Sequence, residues 1–471
     1  MKRRTFLQCG AVAALTAGAR IHAAPVRPNI VFVFADQWRA QALGYTGDPN
    51  VYTPHLDRLA AASVKLTNMI SGWPVCSPYR GTLLTGQHPD RHGIFLNDVP
   101  LAPERPTIGD ALQSAGYHTG YIGKWHLDGH GRSSFIPRER RQGFDHWKVL
   151  ECTHDYNRSF YYADGDTKLE WEGYDAFAQT ADAVQYIEAR AKASEPFALF
   201  LSWGPPHNPY ETAPERFKAL YNPAALRLRA NVPGDWEERA RTDLAGYYAH
   251  CSALDESVGV LWETLQRTGI EDNTVFVFTS DHGDMLGSQG EQRKQRPWDE
   301  SIRVPFLIRY PRGLGNHGRT LDGVMNSPDI LPTLLDFCDV DLPPGVQGRS
   351  HAAWLYGEGP SPSESALLAC YSPFGEWTRA MGGREFRGVR NERFTYVESL
   401  EGPWLLYDNH TDPFQMKNLA VAPGHEKLRA SLQGDLRRHL DRAEDSFSPG
   451  AHYVQQWGYS VDESGTASYA P

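Results

Sequence analysis

The chain has 471 residues, 41% of them hydrophobic, with 47 Lys and Arg against 57 Asp and Glu and a net charge of −10. That length suits one large α/β domain with an appendage, and the apolar content supplies a full core, which excludes wholesale disorder. The acidic balance argues against a nucleic-acid partner, so an anionic substrate has to be held by a local basic pocket rather than by the overall field.

At the N-terminus, Arg3 and Arg4 precede the short apolar run CGAVAALTAGA, which closes on small residues near Ala24. This order reads as a twin-arginine export signal at 1–24 and predicts a periplasmic or secreted bacterial protein. The run is too short to span a bilayer, and no other segment reads as a membrane anchor.

NIVFVFA (29–35) then reads as a buried strand. TPHLDRLAAASV (53–64) reads as a helix capped by Thr53, with Pro54 at its first position. HTGYIG (118–123) is a strand, DAFAQTADAVQYIEARA a helix, and PFALFLSW (196–203) a strand. A long helix near 242–268 ends at Gly269. NTVFVFTS (273–280) and VPFLIRYP (304–311) are further strands. Continuous apolar strands alternating with helices predict a large, mainly parallel sheet sandwiched by helices. Beyond about residue 345 the texture changes. GEGPSPSES (357–365) reads as a linker or surface loop, FRGVRNERFTYVES and PWLLYDN as antiparallel strands, and 424–443 as a helix. The expected organisation is a signal at 1–24, the main α/β domain at 25–355 and a smaller C-terminal α+β domain with an antiparallel sheet at 356–471.

Six cysteines include no C-x-x-C pair, which excludes a zinc ribbon or a thioredoxin-like motif. Cys251 and Cys338 fall on helical apolar periods and read as core. Cys76 differs: in CSPYRGTLLTG it is followed by Pro78 and Arg80. Charged side chains also follow four of the strands: Asp36 with Gln37, Lys124 with His126, His207, and Asp281 with His282 and Asp284. Ligands bind outside the carboxyl ends of strands in open α/β sheets, so these groups converge on one edge. Asp36, Asp281 and His282, with Gln37 as a neutral oxygen donor, suit a hard cation, Ca²⁺ or Mg²⁺. Lys124, His126, His207, Arg80 and Lys294 supply positive and proton-transferring groups, a set suited to sulfate or phosphate.

CSPYRGTLLTG resembles the signature of the type I sulfatases, members of the alkaline-phosphatase-like superfamily. ADQWRA, GKWHL, PPHNPY and DHGDMLG are similar to that family's other blocks, in the family's order, across residues 28–345, and LYDNHTDPFQMKNL is weakly similar to its C-terminal region. The resemblance implies hydrolysis of a sulfate ester on a sulfated small molecule or glycan. It implies that a sulfatase-maturing enzyme converts Cys76 to formylglycine, which joins Asp36, Gln37, Asp281 and His282 at the cation. It further implies that Arg80 holds the hydrated aldehyde, that Lys124 and Lys294 offset charge on sulfate, that His207 is the acid and that His126 is the base. Pro78 is expected to open a helix whose N-terminus faces residue 76. Two positions depart from the pattern. Gln37 stands where many members carry aspartate, and this keeps a phosphonate or phosphate ester hydrolase as the alternative. Tyr79 replaces a small residue in the maturation stretch. An unconverted Cys76 in a sulfated-glycan binding protein is a third reading. His154, Trp171, Trp298 and Arg384, with Trp203 and Trp377, are candidates to line the substrate pocket.

Overall fold

The structure, a computed structural model, describes residues 27–470, so the predicted signal at 1–24 lies outside the described residues. The main sheet contains β1 (Asn29–Asp36), β2 (Val64–Ile70), β3 (His118–Lys124), β4 (His146–Leu150), β5 (Phe197–Pro206), β6 (Thr274–Ser280), β7 (Phe306–Arg309) and β8 (Arg319–Asn326). Their spatial order is β8-β2-β7-β6-β1-β5-β3-β4, with a two-residue strand at Arg303–Val304 beside β2. β1 sits at the centre, parallel to β5 and β6, with Phe32 opposite Phe200 and Val31 opposite Phe276. β7 alone among these eight runs antiparallel to its neighbours, β2 and β6. The sheet is therefore mainly parallel, as expected.

Both faces are covered, which is why the central strands are apolar through their middles, with polar residues only toward their ends. Side chains alternate across a strand. Ile30, Phe32 and Phe34 face a core shared with α2 (Cys76–Thr85) and α5 (Ile330–Phe337). Val31, Val33 and Ala35 face a second core built with α1 (Pro54–Ala61), α3 (Asp175–Arg190) and α4 (Glu237–Arg267). Cys251 on α4 and Cys338 just beyond α5 are fully buried in these cores. Helix α1 stops at Ala61, short of the predicted 64, because Val64 already belongs to β2. Thr53 does not cap α1 with its side chain; its hydroxyl accepts the Gly44 N–H at 2.9 Å instead.

The C-terminal sheet is an antiparallel meander of β9 (Ser365–Cys370), β10 (Phe386–Asn391), β11 (Phe394–Ser399) and β12 (Gly402–Asp408). Ser365, the last residue of the predicted loop, opens β9. One face packs under α6 (Glu426–Ala443) through Leu432, Leu436 and Leu440. The other contributes Phe386, Val397 and Leu405 to the core under α2. No helix among the described residues is long and apolar enough to cross a membrane.

Candidate active site

Four strand ends deliver the site. Asp36 closes β1 and Gln37 follows; Lys124 closes β3, with His126 two residues on; His207 follows β5; Asp281 and His282 follow β6. Cys76 arrives from α2 as its first residue, behind the N-cap Val75. The helix thus opens two residues before Pro78, not at it, and its positive end lies at residue 76.

The Cys76 sulfur lies 3.1 Å from Lys294 Nζ, 3.3 Å from His282 Nε2 and 3.5 Å from Asp36 Oδ1. Ligand atoms of Asp36, Cys76, Asp281 and His282 all fall within 4.8 Å of one another, and all four residues are buried. Gln37 is fixed by two bonds: its N–H donates to Asp281 Oδ1 at 2.9 Å and its Nε2 to Asp284 Oδ2 at 2.7 Å. That leaves Oε1 buried with no partner among the described residues. An orphaned oxygen acceptor on the residue that follows Asp36 and bonds Asp281 fits a hard divalent cation, which binds oxygen and would satisfy it.

Positive groups surround this cluster. Lys124 Nζ is 2.6 Å from Asp36 Oδ2. Arg80 Nη2 reaches Asp36 Oδ2 at 3.2 Å and Asp281 Oδ2 at 3.3 Å, while Nη1 donates to the Lys124 carbonyl and to Ser202 Oγ, both at 2.7 Å. Arg80 therefore clamps two carboxylates in this structure, beside unconverted Cys76. Burial pushes Asp36 up, but Lys124, His207, Lys294 and His282 outweigh it and hold the carboxyl well below its ordinary range. Asp281 moves the other way, raised by burial and by the Asp36 charge. Burial and Asp36 also push the Cys76 thiol up; Lys124, Lys294 and His282 overcome them, so it lies well below a usual thiol.

The two remaining histidines differ in charge. His207 Nδ1 is 2.8 Å from the Asn208 carbonyl, which can only accept, and Nε2 is 2.7 Å from Lys294 Nζ, which can only donate. That fixes a neutral ring with its proton on Nδ1. Burial, then Lys294, holds its pKa well below the ordinary value. His126 Nε2 meets Asp98 Oδ1 at 3.1 Å and its Nδ1 is buried without a partner among the described residues. Burial lowers His126, yet Cys152, Asp98 and Cys76 raise it more, to about 10. Backbone strain gathers here as well. Gln37, His126 and both neighbours of Lys294, Arg293 and Gln295, have φ between 60° and 75°. The left-handed region costs a non-glycine residue about 1–3 kcal/mol and recurs at functional sites.

Of the predicted pocket residues, His154 stacks on His207 with ring centroids 4.8 Å apart. Trp171 is instead a core residue, buried and stacked on Tyr161 at 4.0 Å. Trp203 and Trp377 are buried too. Trp298 and Arg384 gather at Trp404, one edge-on at 5.9 Å and the other over the ring at 4.7 Å. Sequence reasoning missed three contributors. Asp98 holds His126 and, through both its oxygens, Arg132. Ser202 meets Arg80. Glu376 pairs with Arg293 and reaches Lys294 at 3.7 Å. Only Ser202 carried a signal, its place near the end of a strand already in view.

Known proteins show the same arrangement of chain. Residues 28–340 match the Sulfatase family model, and residues 287–442 match that of the C-terminal region of N-sulphoglucosamine sulphohydrolase. An ulvan-active sulfatase of Formosa agariphila is 43% identical over 438 residues, covering 92% of this chain and 85% of that one. A structure solved in work on glycosaminoglycan metabolism by Bacteroides thetaiotaomicron superposes with a TM-score of 0.81 at 27% identity, covering 91% and 99% of the two chains. The phosphonate monoester hydrolase of Agrobacterium radiobacter gives 0.72 at 25% identity, covering 94% and 100%. The chain belongs to the sulfatase family and is a sulfuric ester hydrolase.

Proposed function

We propose that this is an exported sulfatase that removes a sulfate ester from a carbohydrate, with Cys76 converted to formylglycine by a maturing enzyme and a divalent cation, Ca²⁺ or Mg²⁺, held by Asp36, Gln37, Asp281, His282 and residue 76. The observation that carries the reading is the position of Cys76. It is the first residue of a buried helix, within 3.5 Å of a lysine, a histidine and a carboxylate. A structural cysteine gains nothing from such a setting. The glycan class is supported by the ulvan-active relative and by the neighbour from glycosaminoglycan metabolism.

When present, formylglycine supplies two hydroxyls, one to attack sulfur and one to let sulfate leave, and the cation draws charge from the sulfuryl oxygens. The chain's own residues do the rest. Lys124 and Lys294 place two ammonium groups beside residue 76, in a buried site where charge stabilisation is strongest. Arg80 holds Asp36 and Asp281 at fixed separation. His207 has no proton of its own on Nε2, so the proton for the departing alcohol is the one shared between Lys294 Nζ and His207 Nε2. His126 rests charged, with Asp98 holding one side of the ring. Nδ1, buried with no partner among the described residues, is the atom left to give and take a proton.

The test is a mass spectrum of the tryptic peptide LTNMISGWPVCSPYR (66–80) from protein made with a sulfatase-maturing enzyme, followed by sulfate-release assays. The expected result is formylglycine at residue 76 and a Cys76→Ala loss in kcat/KM of about 10³-fold or more. Unmodified cysteine, with the maturing enzyme active on a control, overturns it. Gln37, being uncharged, favours one second reading, a phosphonate ester hydrolase. Faster turnover of a phosphonate monoester than of its matched sulfate ester would establish it.

A further inference from the structure

Among the described residues six arginines are wholly buried, and five of them hold a carboxylate. Arg80 pairs with Asp36 and Asp281, Arg141 with Asp164, Arg296 with Glu291, Arg387 with Asp445, and Arg390 with Asp299. Arg39 is the exception. It is 1% exposed, yet its guanidinium makes no ion pair among the described residues, and Nε and Nη1 are buried with no hydrogen-bond partner there. Against burial, Asp48 and Glu300 favour its charged form without bonding it, so the guanidinium keeps unsatisfied donors, and a buried donor without a partner calls for an acceptor.

Arg39 borders a cleft of about 530 Å³, a volume typical of small-ligand sites. The cleft lies between the loop after β1, the segment 227–230 and Pro413–Phe414, and none of the residues around Cys76 lines it. Four arginines and one acid face it. Arg229 is neutralised by Glu300 at 2.8 Å and lies over the Phe414 ring at 4.9 Å, and Arg303 is neutralised by Asp299 at 2.9 Å. Arg227, on the exposed rim, has no ion pair among the described residues. The acid, Asp48, already accepts the Tyr248 hydroxyl and the Asn50 N–H, each at 2.8 Å. Gln41 adds a second orphan, with both amide atoms buried and unpartnered. Two guanidiniums with no carboxylate bonded to them and an unpaired amide in one cleft form a donor set for a multidentate oxyanion.

We propose that this cleft is a second anion site, separate from the Cys76 cluster, which takes a sulfate or carboxylate group on Arg39, Arg227 and Gln41. Two sources carry that chemistry: free sulfate, the product of the reaction, and an acidic group elsewhere on the sugar chain. The second source rests on the carbohydrate reading above; the site itself does not.

Crystals of the mature chain soaked in sodium selenate test it, because the selenium anomalous signal locates bound oxyanions without reference to turnover. The expected map has a peak within hydrogen-bond reach of Arg39, distinct from any peak at the Cys76 cluster. No peak at Arg39, with only water in the cleft, overturns the proposal whether or not the chain hydrolyses sulfate esters. Arg39→Met should abolish the cleft peak. Should that variant fail to fold, Arg227→Ala on the rim should raise the selenate concentration for half occupancy about tenfold; unchanged occupancy in a folded variant overturns the proposal. A sulfate-free hexuronate disaccharide then separates the sources. Displacement of cleft selenate assigns a sugar-borne group, and retention assigns free sulfate.

Discussion

Asp98 shows how one carboxylate sets the state of a site residue it does not share a strand with. It bonds His126 on one oxygen and Arg132 on both, and these partners hold it far below the usual carboxyl range against the effect of burial. His126 in turn is raised from 6.5 to about 10. A raised histidine stabilises the fold fully below its unfolded value and loses that contribution as pH climbs through the folded value. A depressed aspartate contributes above its unfolded value and loses the effect in acid. Asp98→Asn should therefore cost about 3–5 kcal/mol near pH 6, the scale for breaking a buried pair. The deficit should shrink by pH 9.5, where most of the His126 part is lost and the Arg132 part remains. Urea melts of both proteins at the two pH values check this, and a deficit independent of pH would remove His126 from the account.

Elements explain which features were legible in the sequence. β1, β5, β6 and β7 were visible because each is a near-continuous apolar run, and β3 through its short Tyr-Ile pair between glycines. β8 and β4 were not: they are the two edges, and β8 begins with the half-exposed residues RTLD. β2 was hidden because no glycine or proline separates it from α1. The strand-end rule found Asp36, Lys124, His207, Asp281 and His282, since position on an element sets their aim. It had no purchase on Asp98 or Glu376, which come from irregular segments whose place is set by tertiary packing. Gly283 tests the rule physically. It sits between His282 and Asp284, and a Cβ there would lie 2.0 Å from the Glu300 carbonyl and 3.0 Å from Arg39 Cβ. Backbone cannot yield as a side-chain tip does. Gly283→Ala should displace the turn that bears Asp281, His282 and Asp284, and weaken Ca²⁺ or Mg²⁺ binding about 10–100-fold by calorimetric titration. Unchanged affinity would show that the turn does not position the ligands.

At the scale of the whole molecule, the change of texture near residue 345 marks a change of architecture, while packing runs straight across it. Trp73, three residues before Cys76, meets Phe386 of β10 edge-on at 6.4 Å, and Ala369 N–H in β9 donates to the Gly72 carbonyl at 2.8 Å. Gln295, beside Lys294, exchanges bonds with the backbone of Phe374 at 2.8 and 3.3 Å, and Glu376 pairs with Arg293 on the other side of the lysine. The loop that brings Lys294 to Cys76 is thus held from the C-terminal side. A chain of residues 25–355 would uncover the partners of Phe386, Val397 and Leu405, each worth about 1.5–3 kcal/mol when buried, as one contiguous apolar patch. Against a net stability of about 5–15 kcal/mol that loss is decisive. The truncated chain is expected to be insoluble, or to lack a cooperative melt by circular dichroism, at concentrations where the full chain folds. A soluble 25–355 fragment that melts cooperatively would make the two parts independent domains. Lys294 would then have to be placed by the main sheet alone.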